Sequence, residues 1–144
     1  MDLVEKPEAS EVTGRPVEWF PAARELLERA EPGGPEVLDW LEHEIKANRL
    51  TLFEVRDTWE RIGIFTARWY MRYDGKKILS IVHGVSLKDE EGFSLMLSVE
   101  NLVKKIATDC GCAAVEIHTR RRGMDRRLER HGYEFQETIF SVKV

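Results

Sequence analysis

A long run of strict alternation constrains this chain more than any other feature. Gly63, Phe65, Ala67, Trp69, Met71 and Tyr73 share one side of an extended segment, and Thr66, Arg68, Tyr70 and Arg72 share the other, after Ile62 and Ile64. A period of two is the mark of a strand, because successive side chains point to opposite faces. Asp74-Gly75 follows, a pair that suits a two-residue hairpin turn of the correct twist. The return strand is expected from Lys77 to Val85, with Leu79, Ile81, His83 and Val85 on one face.

Helices are predicted on either side of this hairpin. Val17, Phe20, Ala23, Leu27 and Ala30 recur at three- and four-residue steps, which makes one apolar helical face from about Val17 to Ala30. Pro32-Gly33-Gly34-Pro35 ends it. A second helix has Val37, Leu38, Leu41 and Ile45 inward and Pro35 in its first turn, and exits at Asn48-Arg49 into a strand-like run, Thr51 to Arg56. After a solvated loop at 88–92, Leu95, Val99, Leu102, Val103, Ile106 and Cys110 mark a long helix stopped by Gly111. Residues 1–15 show no periodicity and read as an extended arm, leaving residues 16–144 as one domain. The class is α/β (α+β), and the long helix between the hairpin and the next strand makes at least one strand pair parallel in a mostly antiparallel sheet.

The 144 residues suffice for a real core, and a hydrophobic share of 42% with 33% charged residues suits a globular chain rather than a disordered one. A net charge of −4 gives the whole molecule no electrostatic reason to seek nucleic acid or an acidic membrane. No apolar run approaches the ~20 residues that cross a bilayer, and Met1–Glu8 lacks the pattern of a signal peptide. A cytoplasmic location is expected. Cys110 and Cys112 flank Gly111, too close for an unstrained disulfide and too few for zinc. The four histidines, His43, His83, His118 and His131, fall in no metal-binding spacing. No metal is expected.

The last third adds a buried strand from Ala113 to His118, a basic turn, a helix from Met124 to His131 closed by Gly132, and strands after it. With the elements before it, this order resembles the GNAT superfamily of acyl-CoA-dependent N-acetyltransferases over residues 16–144. Gly132-Tyr133 resembles the Gly-Phe that follows the last helix in many members. Gly111-Cys112, Val115-Glu116-Ile117 and Arg122-Gly123-Met124 look closest to a group of small phage-encoded GNAT-like proteins.

The resemblance implies chemistry that the residues do not obviously supply. GNAT enzymes hold the coenzyme A pyrophosphate on main-chain amides of a Gln/Arg-x-x-Gly-x-Gly/Ala loop that opens the long helix. Here that stretch, Gly84 to Ser94, has one glycine near the helix start and three acidic residues, Asp89, Glu90 and Glu91, which repel phosphate. The tyrosine that many members place four residues before the Gly-aromatic pair is Leu128. Glu54, Glu116 and His83 are the candidate bases. Each has an ordinary structural alternative: the two glutamates as solvent-facing strand residues, the histidine as a satisfied sheet residue.

Arg120, Arg121, Arg122, Arg126, Arg127 and Arg130 form the most distinctive surface cluster, and a helix this short cannot bury them. A solvated helix with local ion pairs to Asp125 and Glu129 accounts for them, as does an acidic protein surface. Stacking aromatics, which single-strand binders use, are absent from the cluster. The chain therefore reads as a GNAT-fold protein that has lost acetyl-CoA chemistry, binds no cofactor and serves as a structural or assembly component, plausibly of a phage virion, through protein contacts. This reading leans against an enzyme and assigns no catalytic or cofactor-binding residue. The alternatives are a diverged acyl-CoA-dependent N-acetyltransferase, with acetyl-CoA bound, and a nucleic-acid-binding module on the arginine cluster.

Overall fold

The structure is a computed structural model, and it describes residues 12–30, 34–58, 60–87, 100–118, 129–130, 132–133 and 142–143. Within them the order is β1 (Thr13–Val17), α1 (Pro21–Ala30), α2 (Pro35–Lys46), β2 (Thr51–Arg56), β3 (Arg61–Met71), β4 (Lys77–Ser86), α3 (Glu100–Asp109) and β5 (Ala114–Ile117). The strands form one sheet in the order β1-β2-β3-β4-β5, antiparallel except for the parallel pair β4–β5.

Helices cover both faces. On one, Val103 and Ala107 of α3 pack on Phe53, Val55, Phe65, Ala67, Leu79 and Ile81. Phe53 and Phe65 stack there with ring centroids 4.8 Å apart, and each ring withdrawn from water contributes about 1.5–3 kcal/mol. On the other, Ala23, Leu26 and Leu27 of α1 and Leu38, Leu41 and Ile45 of α2 pack on Leu52, Ile64 and Val85. Alternation along β2 and β3 sends neighbouring residues to opposite cores, as a two-sided sheet requires.

Two helix ends show how the chain leaves one element for the next. Asn48, at φ 61°, ends α2 in a left-handed residue, with the Asn48 amide bonded to Ile45 O and the Arg49 amide to Glu44 O. Gly111, at φ 76°, ends α3 in the same way: its amide bonds Thr108 O at 3.0 Å and the Cys112 amide bonds Ala107 O at 2.8 Å. This double bond to the last turn turns the chain directly into β5.

The structure departs from the sequence-based expectations at four places. Thr13–Val17 is a strand paired with β2, so the boundary drawn after residue 15 falls inside an element. Gly14 and Pro16 break any alternation there, and proline is tolerated because β1 is an edge. The first helix accordingly starts at Pro21, not Val17, with proline at a first-turn position.

The hairpin turn is longer than two residues. The Gly75 amide bonds Arg72 O at 2.9 Å and the Arg72 amide bonds Lys76 O at 2.8 Å. Gly75 has φ 81° while Asp74 is not left-handed, which is a three-residue loop with a glycine bulge rather than a two-residue turn. Hydrogen bonds from Arg72 and from the Lys76 amide hold the Asp74 carboxyl down at about 2.

The fourth departure bears on function. Thr66 pairs with His83 but Ala67 pairs with Ile81, so Val82 is an extra residue in β4. This bulge turns the strand over. Leu79 and Ile81 face α3, whereas Val85 faces α1 and α2, and His83 shares that face with its partner Thr66. The expected single face of Leu79, Ile81, His83 and Val85 is split in two.

Candidate functional site

The bulge lies where the described pairing of β4 with β5 ends. Their register runs Ile78↔Ala114, Leu79↔Val115, Ser80↔Glu116 and Ile81↔Ile117. Beyond it the His118 amide bonds Ile81 O at 3.2 Å, the last bond of this seam among the described residues. β4 meanwhile stays with β3, and the chain after it still bonds the same neighbour, from the Leu87 amide to Ile62 O at 3.0 Å. Val82–Ser86 thus runs on without a β5 partner, a gap in the pairing among the described residues at the carboxyl ends of two parallel strands. The carboxyl ends of parallel strands are where open sheets bind ligands.

Polar side chains gather on the α1–α2 face beside this gap. Tyr70 Oη donates to Glu116 Oε1 at 2.5 Å, crossing from β3 to β5 over the intervening strand. His118 Nε2 stands 3.9 Å from the same carboxylate oxygen. On the other bank His83 Nδ1 and Thr66 Oγ1 are 2.9 Å apart, and the ring's tautomer sets which of them donates. Ser80, opposite Glu116, is 1% exposed, and its Oγ has no hydrogen-bond partner among the described residues. A buried hydroxyl left unpaired costs about 1–3 kcal/mol, so the fold tolerates a local penalty beside the gap.

Of the candidate bases, Glu54 is set aside. It is 1% exposed, neither solvent-facing nor open to a substrate. Arg15 Nε donates to Oε1 at 2.9 Å and Arg61 Nε to Oε2 at 2.8 Å. Burial opposes its ionisation, but the hydrogen bonds from Arg61 and Arg15 outweigh it and hold the carboxyl below its ordinary value. A carboxylate held by two guanidiniums is a poor proton acceptor. Its place is structural: Glu54 ties β1 and β3 to β2, and Arg61 also lies over the Phe20 ring, 4.1 Å from its centroid. Glu116 and His83 remain, and the structure puts them on one face at the two banks of the gap.

Of the arginine cluster, Arg130 falls among the described residues. Arg130 is exposed in the helical pair Glu129–Arg130, which ends at Gly132 with φ 86°. Arg120, Arg121, Arg122, Arg126 and Arg127 lie outside the described residues, as do Leu128 and residues 88–94 of the expected phosphate stretch. Both cysteines are free thiols. Burial pushes the Cys112 thiol up, away from a nucleophile's range. No three His, Cys, Asp or Glu among the described residues come together as a metal site, and no described helix is long and apolar enough to cross a membrane.

No family model and no curated protein matches the chain by sequence. Solved structures do match it in shape. The aminoglycoside N-acetyltransferase AAC(6')-Iy in complex with CoA superposes with a TM-score of 0.70 at 18% identity, over 96% of this chain and 97% of that one. The ribosomal-protein-alanine N-acetyltransferase of Brucella melitensis biovar Abortus 2308 gives 0.67 at 14% identity, over 93% and 99%. Glucosamine-6-phosphate N-acetyltransferase from Arabidopsis thaliana gives 0.63 at 15%, over 92% and 98%. The chain has the GNAT fold.

These neighbours correct two expectations. A GNAT scaffold emptied of acetyl-CoA chemistry and kept as a structural or virion component conflicts with a set of acetyltransferases matched over nearly their whole length, and nothing among them indicates a phage structural role. The expectation of no cofactor conflicts with neighbours solved with CoA or a CoA-bearing bisubstrate analogue. The physical reason is that side-chain motifs, the phosphate loop and the tyrosine position, do not report the main-chain groups a strand can offer a cofactor. A gap between two strands offers main-chain groups, whatever the side chains, and no residue type announces it. The register also assembles residues that no motif links: Tyr70 and His118, which border Glu116, and Ser80 opposite it.

Proposed function

We propose that this chain is an acetyl-CoA-dependent N-acetyltransferase. The reading is carried by one observation: the described pairing of β4 with its parallel neighbour ends at the Val82 bulge, with Glu116 and His83 on one face at that point. Val82–Ser86, which has no partner on its β5 side among the described residues, suits the amide-bearing arm of coenzyme A, which can add to a strand as an extended peptide does. The acidic Asp89–Glu91 run suits the pyrophosphate less well and lies outside the described residues.

Bound there, acetyl-CoA supplies an activated acetyl thioester. Glu116 draws the acceptor's ammonium to the gap and takes the proton that the nitrogen must lose before it attacks the carbonyl carbon. Tyr70 fixes the carboxylate by its hydrogen bond. His83, locked against Thr66, shapes the opposite bank. A thiol with a pKa of about 8.5 leaves without a strong acid near neutral pH, so Leu128 at the usual tyrosine position does not forbid the reaction.

The test is a calorimetric titration with acetyl-CoA at moderate salt, followed by release of free thiol in the presence of primary amines. Micromolar binding and amine-dependent thiol release are expected. No heat up to millimolar acetyl-CoA would overturn the reading. Kinship with phage-encoded GNAT-like proteins, an acidic protein partner for the Arg120–Arg130 cluster and a cytoplasmic location rest on sequence alone and stand as separate proposals.

A further inference from the structure

The geometry points to an acceptor amine that also carries an anionic group, a zwitterion whose anion is held by Arg68 while its ammonium meets Glu116. This deepens the acetyltransferase proposal and rests on it.

Three residues on adjacent strands form one register row on the α1–α2 face: Arg68 of β3 is opposite Ser80 of β4, which is opposite Glu116 of β5. Strands lie about 4.8 Å apart, so the outer two Cα atoms stand about 10 Å apart. Both side chains are long enough to converge above the middle one. Arg68 is exposed and makes no ion pair among the described residues. Other arginines nearby are committed: Arg72 to Asp74 at 2.7 Å, Arg61 and Arg15 to Glu54, Arg49 to Glu44. Glu44 feels the charge of Arg68 but already accepts a 2.7 Å hydrogen bond from Arg49 Nε.

The buried Ser80 Oγ is the independent observation. It is a hydrogen-bonding group without a partner among the described residues, and it sits between a cation and an anion. The row reads cation, hydroxyl, carboxylate, and it complements an anion and an ammonium joined by a short link. A polycation fits poorly, because its further charges would meet the guanidinium of Arg68 beside Glu116.

The experiment uses the full chain with acetyl-CoA and four acceptors: a free α-amino acid, O-phosphoethanolamine, an alkylamine of similar size and spermidine. The amino acid or the phosphoamine should exceed the alkylamine in kcat/KM by tenfold or more, with spermidine lowest. Which of the first two leads identifies the anion as carboxylate or phosphate. Arg68→Gln should erase that advantage through KM, Arg68→Lys should restore part of it, and Arg68→Glu should reverse the order toward spermidine. A wild-type preference for spermidine overturns the inference while leaving an acetyltransferase. So does an Arg68→Gln variant that loses alkylamine and amino-acid turnover equally, since that would make the residue merely structural. If no amine is acetylated, the parent reading falls, and calorimetric titration with the amino acid and the phosphoamine decides the site. Binding abolished by Arg68→Gln keeps the inference; no binding overturns it.

Discussion

The two faces of the sheet are built on different terms. Against α3, every buried side chain among the described residues is apolar, and two phenylalanines stack at the centre. Against α1 and α2, the same strands bury Glu54, Thr66 and Ser80 among leucines, isoleucine and valine. The three buried polar side chains lie on the face that also carries Tyr70, His83 and Glu116. One face secures the fold, and the other accepts polar burial in order to hold a site beside the gap. A single sheet can do both because alternation keeps the two sets of side chains apart.

The comparison breaks most readily at Phe65. Phe65→Ala on the α3 face should cost about 3–5 kcal/mol in urea unfolding. A loss under about 1 kcal/mol would mean that this face is not the one that secures the fold. The opposite face should respond in activity: Glu116→Gln should lower kcat by about 10²–10⁴-fold, with a thermal midpoint close to that of the parent. An unchanged kcat would remove Glu116 from the chemistry.

Glu54 sharpens the contrast, since it is polar, on the face of the candidate site and yet structural. Glu54→Gln should cost about 1–2 kcal/mol near neutral pH, held down because Arg15 stays 70% exposed. The folded carboxyl is lowered below 4.5. The stabilisation is therefore complete above that value and disappears as pH falls through the folded value. Unfolding curves at neutral pH and near pH 3 should show the gap between parent and Glu54→Gln narrowing in acid; a constant gap would refute the charged clamp. The smallest effect is expected at Gly14→Ala. Its new Cβ would stand 3.0 Å from Leu102 Cδ2 and 3.4 Å from Ile106 Cδ1, ends of side chains that can shift, so less than about 1 kcal/mol should be lost.

The regular elements were legible where the period was long. The second helix could be read from the spacing of Leu38, Leu41 and Ile45, and β2 from the strand-like run Thr51–Arg56. β1 was not, since Gly14 and Pro16 leave a five-residue strand no alternation to show. Glu54 looked like an ordinary strand carboxylate, because nothing in sequence reports that residues as distant as Arg15 and Arg61 converge on it. The Val82 bulge was the costliest omission. It is one surplus residue in β4, carries no marker of type, and it moves His83 to the face where Thr66 waits. The candidate site depends on that shift of register, so the residues could be listed in advance but not assembled.

The order of the strands carries a consequence for how the molecule comes together. β2, β3 and β4 follow one another through short connections, whereas β1 and β5 each join the sheet only after helices have been laid across it. Contacts between near neighbours along the chain close at small entropic cost, and distant ones wait. The central meander should therefore be kinetically early and the β4–β5 seam late. In native-state hydrogen exchange the His118 amide, on that seam, should open at lower free energy than the amides that pair β2 with β3. A chain caught partly unfolded would then keep most of its sheet while Glu116 and His118 left the candidate site, so loss of that site would report the first opening of the molecule.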